Sequence, residues 1–276
     1  MLGDLTSLQN VADWLGLTTL PASNTPQYRL LTRMISQVSG EILNELQRPQ
    51  LQSQVFTETK DGMDNRSIWL TNWPVTAVSQ VVVAGRVIPP APVLNGTPNG
   101  PGWLLDPWDG ASAGQPQEIR LVGQNCPRGH RNVLASYTAG YLVAAEAQTV
   151  AGAQVTALAQ SGPWTADGGV SYAGSGQALV AVSGSPAQGQ YSVAGGVYTF
   201  NAADNGQSVL LSYSFTPGPV EDACINLVAY RYRMQSRIGV RSQAIGDGQS
   251  TTYDLSDLPA YINRVLLAYK RIVPIL

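Results

Sequence analysis

Apolar residues recur at two periods along the chain, and the period changes mark its organisation. Leu8, Val11, Ala12 and Leu15 follow each other at helical spacing until Gly16. Thr6 with Gln9 has the form of a capping box in front of them, so a short first helix is expected. Pro26 suits a first helical turn, and Leu30, Leu31, Met34, Ile35, Val38, Ile42 and Leu46 then recur in steps of three and four up to Pro49. From Val55 the period shortens. Strands are predicted at Val55 to Thr59, Ser67 to Thr71, Val78 to Val83, Glu118 to Val122 and Val133 to Thr138, with Ala84-Gly85 as a hairpin tip. The proline- and glycine-rich stretch from Pro89 to Pro116 reads as a long irregular surface loop.

Residues 142–219 contain no Lys or Arg and alternate small polar with apolar residues between glycine-rich turns. Val209, Leu211, Tyr213 and Phe215 share one strand face, opposite Ser208, Leu210, Ser212 and Ser214, after a turn at Asn205-Gly206. A small all-β module is expected here. The helical period returns after Pro219 with Val220, Cys224, Leu227, Val228 and Tyr232. A Gly- and Ser-containing loop, Gly239 to Tyr253, then leads to Pro259 and a last helix with Tyr261, Ile262, Val265, Leu266 and Tyr269, halted by Pro274.

Helices bracket the β segments from both ends, so the economical fold is α+β. It has a helical core formed by N- and C-terminal helices, an inserted antiparallel β region, and an additional inserted all-β module of sandwich or barrel type. The expected divisions are 1–54, 55–141, 142–216 and 217–276.

Composition narrows the function. Only 12% of the 276 residues are charged, against roughly 25% in average soluble proteins, while 28 are Gly and 18 are Pro. A net charge of -2 provides no general attraction to phosphate. No apolar run reaches the roughly 20 residues that cross a bilayer, and no basic start with an apolar signal core opens the chain. Synthesis in the cytoplasm is the expectation.

Candidate chemistry is sparse. His130 and Cys126 lie four residues apart in a Pro/Gly loop that fixes no catalytic geometry. Cys126 and Cys224 have no metal-ligand spacing and read as buried thiols. Glu58, Asp61 and Asp64 surround Gly62 without the closely alternating oxygens of a calcium loop, and read as a solvated hairpin turn. No phosphate-cradling Gly-rich run and no Gly-x-Ser-x-Gly occurs. Catalytic residues, metal sites and cofactors are therefore expected to be none. The notable charge cluster is Arg231, Arg233, Arg237 and Arg241. Arg231 and Arg233 point about 200 degrees apart on a helix, which favours pairing with acidic groups of a neighbouring subunit over one basic stripe for DNA.

Leu5-Thr6-Ser7-Leu8 to Trp14-Leu15-Gly16, the second helix Leu30 to Leu46, Thr57 to Gly62, Trp69-Leu70 with Trp73 to Val78, Ala135 to Tyr141, Ala223 to Gly239, and Leu258-Pro259 to Arg271 occur in that order. Together they resemble the head-tail connector (adaptor) proteins of long-tailed double-stranded DNA bacteriophages. The resemblance covers 1–141 and 217–276, and residues 142–216 depart from it as a domain insertion. It implies a virion structural protein rather than an enzyme: a ring, commonly dodecameric, beneath the portal protein at the head-tail interface, receiving a tail terminator or stopper protein. Genomic DNA would pass through its lumen without sequence-specific binding. The C-terminal segment Lys270, Arg271, Ile272, Val273, Pro274, Ile275 and Leu276 would dock on the portal, and the arginine cluster would face neighbouring subunits or the lumen. A rival reading makes the β module a surface-exposed adhesin-like or decoration-like binding module, with Trp164, Tyr172, Tyr191 and Tyr198 stacking on sugars.

Overall fold

A computed structural model describes residues 3–106, 117–158, 162–235, 242–245, 249–252 and 260–271. Mixed α and β content is arranged in two compact units. One comprises residues 1–50 and 216–270 and holds the α-helices α1 (Leu8–Leu15), α2 (Pro26–Glu45), α3 (Gly218–Met234) and α4 (Ala260–Leu267). The other takes in residues 51–215 and 271–276, and its elements are β-strands and one 3-10 turn.

Local chemistry sets the helix ends. Ser7, not Thr6, caps α1, accepting from the Asn10 N–H, and Gly16 closes the helix at φ 73°. The expected capping box fails because Thr6 is drawn to Glu221 and Gln9 to Asp13. Thr25 caps α2 by accepting from the Tyr28 N–H, with Pro26 in the first turn. Helix α3 packs against α1, α2 and α4. Val11 of α1, Leu31, Ile35, Val38 and Ile42 of α2, Val220, Cys224, Leu227 and Val228 of α3, and Ile262 and Leu266 of α4 are all buried. Each such aliphatic side chain contributes roughly 1.5–3 kcal/mol on leaving water.

The β unit has two cores. Its first part comprises β1 (Gln54–Gly62), β2 (Ser67–Trp69), β3 (Val75–Val83), β4 (Arg86–Ile88), β5 (Val93–Leu94), β6 (Thr97–Pro98), β7 (Gly102–Asp106), β8 (Glu118–Val122) and β9 (Gly129–Ala139). One sheet runs β1-β9-β3-β4 and another β2-β8-β7. Both contribute to a core that includes Ile68, Leu70, Val81, Ile119, Leu121, Val133 and Tyr137. Ala84 and Gly85 both have positive φ, 49° and 78°, as a two-residue hairpin tip requires. The stretch 89–116 corrects the expectation of an irregular loop. It carries the β5–β6 hairpin and β7, whose Trp103 and Leu105 pack on this core while its backbone pairs with β8. Turn-residue density hid a strand whose burial depends on a distant partner.

The second part holds β10 (Leu142–Thr149), β11 (Gln154–Thr156), β12 (Trp164–Tyr172), β13 (Val180–Ala181), β14 (Gln190–Ala194), β15 (Val197–Phe200), the 3-10 turn Ala202–Asp204 and β16 (Ser208–Phe215). Sheets β10-β16-β12 and β11-β15-β14-β13 share a separate core around Val170, Tyr198, Phe200, Val209, Leu211 and Tyr213. Within the expected loop Gly239 to Tyr253, β17 (Ser242–Ile245) pairs with β18 (Gln249–Thr252) as a hairpin. Backbone pairing there needs no apolar pattern, so the hairpin leaves no periodic signal.

Candidate functional site

In the helical unit, α3 is the element around which polar contacts gather. Glu221 lies in its first turn and is buried. It accepts from Thr6 Oγ1 at 3.0 Å and from Asn10 Nδ2 at 2.6 Å, fastening α1 to the start of α3. Burial pushes its carboxyl above the ordinary glutamate range, and the two neutral donors offset only part of that. Ser39 on α2 accepts from the Leu5 N–H at 2.9 Å and lies 3.6 Å from the Cys224 Sγ. Burial pushes the Cys224 thiol up to about 12, so it is an inert, packed thiol.

The arginine cluster divides. Arg231 forms a two-pronged pair with Glu41 of α2, at 2.8 and 2.5 Å. Arg233 is exposed near the end of α3. Arg237 and Arg241 lie outside the described residues. In the C-terminal segment, Lys270 pairs with Glu45 at 2.8 Å and Arg271 is half-buried, while Ile272 to Leu276 lie outside the described residues. Glu41 and Glu45 are one helical turn apart on α2, so one acidic edge collects cations from both C-terminal segments. Both pairs are partly exposed, and each contributes only about 0–1 kcal/mol.

The β residues singled out from sequence do not converge on chemistry. Glu58 turns inward and accepts from Thr71 Oγ1 at 2.7 Å, Asn72 Nδ2 at 3.0 Å and the Tyr137 hydroxyl, with Lys60 Nζ 3.0 Å away. Burial raises its carboxyl, but the hydrogen bonds from Thr71 and Tyr137 and the Lys60 charge outweigh that and hold it below the usual range. Asp61 points elsewhere, accepting from the Arg131 N–H at 2.6 Å and facing His130 Nδ1 at 3.2 Å. Among the described residues no group of three or more His, Cys, Asp or Glu could hold a metal. Cys126 is buried and its thiol raised by that burial, whereas His130 is exposed beside Asp61, so they do not form a nucleophile and base.

In the β module the aromatic residues considered as a sugar platform serve the interior. Tyr191 and Tyr198 are buried, and both hydroxyls donate to Asp167, at 2.5 and 3.1 Å. Trp164 Nε1 donates to the Tyr198 hydroxyl at 3.2 Å, and the Tyr172 hydroxyl to Asp204 at 2.6 Å. Tyr213 donates to Glu146 in the same manner. Sequence reasoning missed these acid–phenol pairs and the Glu221 contact. The visible signal was an acidic residue in a stretch without cations, which must be satisfied by neutral donors if it is buried.

No protein-family model and no curated protein matches the chain. Among solved structures it is similar to a chain from the neck of an empty gene transfer agent particle computed with C6 symmetry. That chain has 13% identity and a TM-score of 0.35, over 100% of this chain and 93% of that one. A chain from the virion of a native gene transfer agent particle is similar at 13% identity and a TM-score of 0.39, over 100% and 94%. Similarity of this order leaves the function to be derived from the chain's own residues.

Proposed function

We propose that the chain is a virion structural protein, a head-tail connector (adaptor) subunit that forms a ring, dodecameric by its resemblance, beneath the portal.

The observation that carries the reading is the division of the chain. The stretches that resemble connector proteins fall on α1, α2, β1, β2, β3, β9, α3 and α4, and residues 142–215 have a core of their own. A module with a private core can be inserted between β9 and α3 without repacking the rest. In this reading the helical unit makes the subunit contacts. Arg231 is tied to Glu41 within its own subunit, which leaves Arg233, Arg237 and Arg241 for neighbouring subunits or the lumen. Lys270 to Leu276 dock on the portal. A tail terminator or stopper protein joins below, and the genome passes through without sequence-specific binding. The adhesin-like alternative loses Tyr191 and Tyr198, whose rings are buried in the module.

The test is the mass of the purified chain, alone and mixed with the portal protein of the same virus, by native mass spectrometry or light scattering. Incorporation as a ring of fixed stoichiometry is expected. Absence of association at every salt concentration would overturn the connector reading.

A further inference from the structure

The first β core leaves an open seam between its two sheets. β1 is the end strand of the order β1-β9-β3-β4, and β2 is the end strand of β2-β8-β7. Among the described residues β1 pairs with β9 and β2 with β8, each on one side only. An end strand carries a row of unpaired N–H and C=O groups along its free edge. A cavity of about 430 Å3 is lined by residues 59–61 of β1 and by all three residues of β2, Ser67–Trp69. Successive side chains of a strand point to opposite faces, so a cavity touched by three in a row lies along the edge rather than over a face.

The lining suits an uncharged, extended occupant. Ile68, Val133 and Cys126 are buried in it, and Trp69 and Met63 stand half-exposed beside them. Its charges are already engaged: Lys60 pairs with Glu58 at 3.0 Å, and Asp61 accepts from the Arg131 N–H at 2.6 Å beside His130. Arg271 lines the cavity as well, and its Nε is buried without a hydrogen-bond partner among the described residues. A backbone carbonyl laid along the seam would accept from it. Arg271 is also where the chain itself enters the seam. The residues that follow are Ile272, Val273, Pro274, Ile275 and Leu276, with no polar side chain and three that are β-branched, a composition that favours an extended strand.

We propose that residues 272–276 lie in the seam of their own chain, as an added strand between β1 and β2. Arg271 already stands in the lining, so an outside peptide or the tail of a second copy would have to displace the segment that starts there. Five extended residues reach about 16 Å, enough to run past a three-residue wall about 10 Å long. Main-chain hydrogen bonds hold such an added strand, and pockets for its alternate side chains set its register. Pro274 has no N–H to donate, which keeps the pairing short and the tail releasable. These are the residues assigned above to the portal, so a tail seated here is withheld from the portal until docking draws it out. That release rests on the connector reading; the seat itself does not.

The experiment uses the full chain with Met63→Cys and Ile275→Cys, singly and together, in a Cys126→Ala background, treated with a short thiol-reactive cross-linker that dithiothreitol cleaves. Met63 lines the cavity and Cys224 is buried. The double variant should cross-link within one chain, read by peptide mass mapping, with a yield independent of protein concentration. Cross-links between chains when the two single variants are mixed, or no cross-link at all, overturn the seat; the connector reading then stands if the chain still joins the portal. A second measurement needs no cysteine. Deleting residues 272–276 should speed amide exchange at 59–61 and 67–69 by at least ~10-fold and leave 133–137 of β9 unchanged; unchanged exchange at 59–61 and 67–69 also overturns the seat. The cross-linked chain should bind the portal at least ~10-fold more weakly than the same chain after dithiothreitol. Equal binding of the two overturns the release step and leaves the seat.

Discussion

The two β cores hold half-buried carboxylates by different means. In the first, Glu58 has a cation, Lys60, at 3.0 Å as well as donors from Thr71, Asn72 and Tyr137. In the second no cation exists within 142–219, and Asp167 and Glu146 are held by phenols and backbone N–H groups instead. Asp167 in turn pushes the Tyr191 and Tyr198 hydroxyls up, after burial itself, so the phenols stay protonated donors. A stretch free of Lys and Arg is thus no obstacle to half-buried acids, provided tyrosines replace the missing cations. It also keeps the outside of the module free of positive charge.

The sharpest test of the separation is a matched cavity in each core. Leu121→Ala and Leu211→Ala should each lower stability by about 2–5 kcal/mol. Hydrogen exchange should show lost protection confined to 55–139 for the first and to 142–215 for the second. Loss of protection across both from either variant would mean that the cores unfold together.

Removing partners from these half-buried acid clusters should give a smaller, unequal effect. Glu58→Ala leaves Lys60 and three neutral donors without their acceptor, and should cost about 3 kcal/mol in thermal or denaturant unfolding. Tyr191→Phe removes one donor from Asp167, which keeps Tyr198 and the Gly169 N–H, and should cost about 1 kcal/mol. Equal costs would deny that the module spreads its polar contacts over several donors.

Acid titration should give the smallest effect and separate the β unit from the helical unit. Glu58 has a folded value below the ordinary 4.5, so its stabilisation is complete above 4.5 and is lost as pH falls through the folded value. Glu221 is raised by burial, so it imposes a cost at neutral pH that acidification relieves. Between pH 6 and pH 4, hydrogen exchange should therefore show no Glu221-dependent weakening of α1 and α3, and Glu221→Gln should flatten their profile. Below pH 4.5 the first β core should loosen, and Glu58→Gln should remove that dependence.

The periodicity of apolar residues determined the helices and the longer strands of the first β core, because an amphipathic helix or strand writes its buried face into its own sequence. That held for α2 and α3, for β1, β3, β8 and β9, and for the outer and inner faces of β16. It failed where burial or pairing depends on residues far away: β7 inside a proline-rich stretch, and the β17–β18 hairpin. The candidate site was legible as a list of charges but not as a set of partners. Nothing local to Arg231 names Glu41, and nothing local to Thr6 names Glu221 in place of a helix cap. Those pairings were decided only by the tertiary structure, since a charge takes its role from what folding brings within a few ångströms, while an apolar residue takes its role from the stripe to which it already belongs.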